Sequence, residues 1–148
     1  QSKPTTQDAV MRSQGLLLTW LVEEPLVYPK IKKYISPEDF TIEPYGKAAQ
    51  HLLADLDKGV CEPAAIISLF SDEEEQRKVA ALFNTKLPPM ENLSEKEKAL
   101  KDVVLAVKRN SYEESSKMLG QDVSSLNRVI EGKKALEELT KTHISLDS

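Results

Sequence analysis

One cysteine, five glycines, eight prolines and eight aromatic residues among 148 positions exclude several kinds of protein at once. A lone Cys61 rules out an internal disulfide framework and a thiolate metal cluster, so a reducing, cytoplasmic setting is expected. No apolar run approaches the roughly 18 residues of a membrane span, and no signal peptide is visible, so no membrane association is expected. Positive charge is not in excess. Twenty Lys and Arg face 24 Asp and Glu, a net charge of −4. That argues against a module that grips duplex DNA through clustered cations, and no direct nucleic-acid binding is expected. An initiator methionine is also missing from the opening QSKPTTQDAV. The chain is therefore expected to be a piece of a longer protein, whose active site can lie upstream.

What is present points to helices. Apolar residues make up 40 % and charged residues 30 %, a balance that suits a folded, well-solvated chain. All eight prolines lie at or before Pro89, and seven of the eight aromatics at or before Phe83. Residues 1–85 hold 9 basic and 13 acidic side chains, whereas residues 86–148 hold 11 of each. The fold expected is all-α: a small helical bundle over residues 1–87, then a long C-terminal helical hairpin over 88–148. The boundary falls near Pro88–Ser94, and the bundle core is expected around Trp20, Tyr28, Tyr34, Phe40, Tyr45, Phe70 and Phe83.

Helix punctuation in the bundle is legible. TQDAVMRSQGLLLTWLVEE carries a first helix whose apolar run, Leu16 to Val22, stops before Pro25. PLVYPKIKKYI reads as a short second helix. In SPED, Ser36 reads as an N-cap with Pro37 at the first helical position. EPYGKAAQHLLADLDKG opens on Pro44 and closes on Gly59. EPAAIISLF and SDEEEQRKVAALFN follow, with Ser71 expected to cap the latter and acids in its first turn. Gly46 sits in a first turn, where it costs about 1 kcal/mol against alanine and so implies a local packing reason.

The hairpin is expected to open with a capping box, Ser94 with Glu97. Leu100, Val103, Val104, Val107, Ser111 and Met118 share one face, while Leu105, Tyr112 and Leu119 recur at sevens on another. After a break at Gly120, Leu126, Val129, Leu136 and Leu139 form a stripe assigned to hairpin packing, with Val123, Ile130 and Ile144 on its shoulder. Two paired helices hide one stripe each, so each owns surplus apolar surface. Either the second stripe packs back on the bundle, or the hairpin projects as an arm and a partner protein covers it.

Signals for catalysis are thin. His51 and Asp55 stand four apart, too few ligands for a metal site. DLDKG places its glycine one position early for a calcium loop, and Ile66 stands where the twelfth-position glutamate belongs. The acids Asp72–Glu75 suit a helix N-terminus without an ion, and Cys61 reads as a small buried hydrophobe. His143 near the seam of the last helix reads as a contact residue. Lys30, Lys32 and Lys33 read as a solvated face. No phosphate-cradling glycine loop and no nucleophile motif occurs. The segment itself is expected to be no enzyme and to carry no cofactor.

The stretch GLLLTWLVEEPLVYPKIKKYISPEDFTIEPYGKAAQHLLADLDKG resembles the C-terminal helicase-binding domain of bacterial DNA primase. The features that carry the likeness are Leu16–Leu18 opening a helix, Pro25, the EDF at Glu38–Phe40 and the helix from Pro44 to Leu52. The tail LNRVIEGKKALEELTKTHISL matches that family's terminal hairpin in position and character. The likeness runs from about Leu16 to Leu146. Gly46 departs from it, standing where a larger and often charged residue is expected.

The resemblance implies a helical bundle and a hairpin. It implies that the hairpin docks on the N-terminal domains of the hexameric replicative helicase, while the bundle modulates helicase and primase activity. Primer synthesis and zinc binding belong to upstream domains. Carried over, the docking residues are Ile130, Lys133, Lys134, Glu137, Lys141 and Ile144 on the last helix. Leu105, Tyr112 and Leu119 form a second rank on the helix before it. The segment alone is expected to be a monomer. Two other readings compete. One is the N-terminal domain of the replicative helicase itself, against which THISLDS reads as a true chain end. The other is a helical scaffold of another replication protein.

Overall fold

The computed structural model describes residues 6–117 and 123–146. Its elements are all helical, and no strand occurs among the described residues. Helix α1 (Thr6–Glu23) is the central one, with α3 (Tyr45–Asp57), α5 (Glu73–Phe83) and α6 (Leu93–Lys117) packed around it. Its run of Leu17, Leu18, Trp20 and Leu21 is buried on all sides, as a helix apolar all round must be. Two buried polar side chains on α1 are satisfied, as burial requires. Gln14 donates to the Thr41 hydroxyl at 3.0 Å and accepts the Ile42 N–H at 3.1 Å. Thr19 donates to the Leu82 carbonyl at 2.9 Å and so fastens α5.

Pro25 ends α1. A 3-10 turn (Pro25–Val27) and one α-turn, α2 (Tyr28–Ile31), replace the single second helix expected. A second 3-10 turn (Pro37–Asp39) follows Ser36, whose N–H is accepted by the Asp39 carboxylate at 2.9 Å. Helix α3 ends at Gly59, which takes the left-handed φ of +76° that a helix stop of this kind uses. Helix α4 (Pro63–Ile67) leads to α5, which is capped by Asp72 rather than Ser71: its carboxylate accepts the Glu75 N–H at 3.0 Å.

Gly46 has the local packing reason its position implied. A Cβ there would lie 2.7 Å from the Phe40 carbonyl oxygen, closer than real contacts allow. Gly46→Ala is therefore expected to lower stability by about 1–3 kcal/mol despite alanine's better helix propensity. A melting temperature at or above the wild type's contradicts this. Tyr34 offers the opposite case: its buried hydroxyl has no partner in full hydrogen-bond geometry, with only the exposed Lys33 ammonium near it. An unsatisfied buried hydroxyl costs about 1–3 kcal/mol, so Tyr34→Phe is expected to leave thermal stability unchanged or raise it. A clear drop in melting temperature contradicts that.

The chain from Asn84 to Asn92 is held down rather than loose. The Leu87 N–H donates to Glu23 at 2.8 Å, and Leu87 and Met90 pack against the core. Helix α6 is capped by Asn92, whose side chain accepts the Glu95 N–H at 2.8 Å, so Ser94 is not the cap. Glu97 does not close a capping box either. It is buried and turned toward the chain end, accepting the Leu146 N–H at 2.6 Å and lying 3.0 Å from His143 Nε2.

Leu100, Val104 and Val107 of α6 are buried in the same cluster as Leu17 and Trp20. The hairpin thus does not project as an arm. One stripe of α6 packs back on α1, and a single core spans the composition boundary near Pro88–Ser94. Helix α7 (Val123–Lys141) runs antiparallel along α6. Tyr112 lies against Gly132, and Lys101 donates to the Thr140 carbonyl at 3.0 Å. Tyr112 can approach because position 132 has no side chain: a Cβ there would already sit 3.3 Å from its ring. The expected break at Gly120, with Met118 and Leu119, lies outside the described residues.

Candidate protein interface on the last helix

Three sides of α7 are distinguishable. Gly132 and Leu139 are buried toward α6, with Val129 and Leu136 half-buried beside them. A flank turns to the 33–39 segment, where Lys33 Nζ pairs with Glu138 at 3.2 Å and Arg128 faces Glu38. Among the described residues no other element packs on the outer side. Along it Val123 is 75 % exposed, Leu126 49 % and Ile130 44 %. The same face continues through Lys133, Lys134, Glu137 and Lys141, all exposed. At 100° per residue these positions share roughly 100° of arc. The face is therefore apolar near the hairpin tip and charged near its base.

A buried polar joint holds this helix pair to the bundle. Asp39 is 3 % exposed and accepts hydrogen bonds from Ser111 at 2.6 Å, Lys108 at 3.1 Å and the Ser36 N–H at 2.9 Å. Next to it, the Glu38 carboxyl is held below its ordinary range. Its own backbone N–H and the Ser36 hydroxyl stabilise the anion, with Arg128 and Lys108 adding charge. Arg128 and Lys108 come from α7 and α6, so both hairpin helices meet the Pro37–Asp39 turn.

Of the docking residues named from the sequence, Ile130, Lys133, Lys134, Glu137 and Lys141 are brought together on the outer face. Ile144 is not. It lies beyond the end of α7, folds back and is 4 % exposed, so it offers no surface to a partner. Leu105 is half-buried against the core and Tyr112 is half-buried against Gly132, so neither lies on the outer face. Leu126, expected in the hairpin seam, is exposed instead. The seam is centred on Gly132, which has no side chain and is invisible to a count of apolar residues. Leu126 thus joins Val123 and Ile130, which hydropathy spacing had already placed together on the shoulder.

The remaining polar clusters are structurally committed or dispersed. Lys32 pairs with Asp57 at 2.8 Å, and Asp57 accepts from the Tyr28 hydroxyl at 3.1 Å. Burial together with that carboxylate raises the Tyr28 pKa to about 12. Burial also raises the Cys61 thiol, which faces the Val22 carbonyl at 3.9 Å. Among the described residues no three His, Cys, Asp or Glu side chains converge as metal ligands. The largest cleft described, about 640 Å³, is open and lined by Glu38, Glu43, Lys47 and Gln50 among others. No described helix is long and apolar enough to cross a membrane. Comparison with known proteins gives no match: no family model fits the sequence, and no curated protein or solved structure is significantly similar.

Proposed function

We propose that this chain is a non-catalytic docking domain of a bacterial DNA primase, and that it binds the N-terminal domains of the hexameric replicative helicase. The observation that carries the docking role is the outer face of α7, where Val123, Leu126 and Ile130 stand exposed in one stripe. The Leu100, Val104, Val107 stripe of α6 is by contrast covered from within. Isolated exposed apolar side chains need no explanation, but Val123, Leu126 and Ile130 in register on the uncovered side of one helix fit helix-in-groove recognition. The helicase as partner rests on the primase resemblance of Leu16–Leu146. In this reading primer synthesis belongs to other domains of the cytoplasmic parent protein, the segment holds no cofactor, and it is a monomer until it meets the helicase.

Sedimentation of the chain with the replicative helicase of its source organism tests the proposal. Co-migration with the hexamer, lost for Leu126→Asp, is the expected result. A chain that stays at monomer mass beside a helicase in molar excess overturns it.

A further inference from the structure

We infer that the helicase surface met by α7 combines an apolar groove with a flanking patch of carboxylates, so that docking is steered by charge as well as held by apolar contact. The inference rests on the docking role proposed above and specifies the chemistry of the partner. At the base of the outer face stand Lys133, Lys134 and Lys141 with Glu137, while Glu131 and Glu138 lie on the adjoining flank, where Glu138 is paired with Lys33. Among the described residues no carboxylate forms an ion pair with any of the three lysines. Lys33 and Lys32, the nearest basic cluster of the bundle, are by contrast committed to Glu138 and Asp57.

The rest of the molecule sharpens this contrast. The chain carries −4 overall, and residues 1–85 hold 13 acids against 9 bases. The bundle, with four acids in excess, repels an acidic partner, and the base of α7 attracts it, which orients it before contact. A basic partner would be drawn to the bundle and away from the apolar stripe. Charge of one sign beside an apolar anchor raises association rate and fixes register. The anchor then governs how long the complex lasts. The direction is set too: the apolar end at Val123 and the basic end at Lys141 admit only one orientation of a groove with carboxylates at one end.

The test uses the intact chain and the replicative helicase of its source organism, with association followed by stopped-flow fluorescence across a salt series. The triple variant Lys133→Glu, Lys134→Glu, Lys141→Glu changes exposed side chains only, and an unchanged melting curve confirms folding. The expected result is wild-type association that slows with salt, and a loss in the variant of about a hundredfold at low salt that shrinks at high salt. A variant that associates as the wild type does, on a helicase that binds both, overturns the charge complement and leaves the docking role standing. No binding by the wild type overturns both. A third arm uses vesicles of phosphatidylserine and phosphatidylcholine. If the wild type binds them, the triple variant does not, and helicase binding is equal for both, the lysines serve an anionic membrane and the inference fails.

Discussion

Replacing Asp39 by alanine is expected to destabilise the fold by about 3 kcal/mol, or roughly 10 °C in melting temperature for a chain of this length. The carboxylate is buried where the Pro37–Asp39 turn meets α6, and it satisfies Ser111, Lys108 and the Ser36 N–H at once. Truncation removes all three partners' acceptor. Lys108 is left nearly buried as a cation, with a side-chain exposure of 13 % and no carboxylate in ion-pair contact, only the field of nearby Glu38. A buried charge that loses its ion-pair partner is the costliest outcome of breaking such a pair. The Ser111 hydroxyl and the Ser36 N–H add the cost of unmade hydrogen bonds. Adding Lys108→Met to Asp39→Ala is therefore expected to recover part of the loss, because the double variant strands no charge. Chemical denaturation of the two single variants and the double one measures the coupling directly. Additive losses, or a cost for Asp39→Ala within about 0.5 kcal/mol of zero, contradict this view of the joint.

Ile130→Asp is expected to have the larger effect on binding and almost none on folding. Ile130 lies on the side of α7 turned away from both α6 and the bundle, so a carboxylate there stays in water in the free chain. A surface substitution of that kind shifts stability by no more than about 0.5 kcal/mol. In a complex the same carboxylate enters an apolar contact and loses its hydration. Truncating an anchor at an interface centre costs about 2 kcal/mol or more, roughly 30-fold in affinity, and a buried charge adds to that. Leu126→Asp is expected to behave alike. Ile144→Asp is not, because Ile144 is 4 % exposed and its substitution unfolds the chain end before it touches a partner. The contrast between Ile130 and Ile144 separates a contact residue from a packing residue that shares its hydropathy.

Much of the helical architecture was legible because its punctuation is local. Pro25, Pro44, Gly59 and the acids of α5 each act within a turn of the helix end they mark. The Leu100, Val104, Val107 stripe was equally legible, since helical spacing alone groups those residues. What covers that stripe was not, because a partner and α1 are equally apolar as seen from α6. Other features depend on distant or absent groups. Asp39 and Lys108 are 69 residues apart, and nothing near either announces the other. Glu97 has the sequence setting of a capping residue, yet it serves the Leu146 N–H 49 positions away. On α7 the buried side is centred on a glycine, so the apolar pattern misplaced Leu126 into the seam. Helical periodicity also stops at Lys141, and carrying it on to Ile144 assigned a buried residue to the surface.

The outer face of α7 as a helicase-docking surface is tested most directly by titration calorimetry of the chain, wild type and Ile130→Asp, into the replicative helicase of the same organism. Saturable binding of the wild type is expected, with a loss of at least about 30-fold for Ile130→Asp and superimposable melting curves for the two free chains. Equal affinities, or a wild-type chain that releases no heat of binding at tens of micromolar, would contradict that docking role.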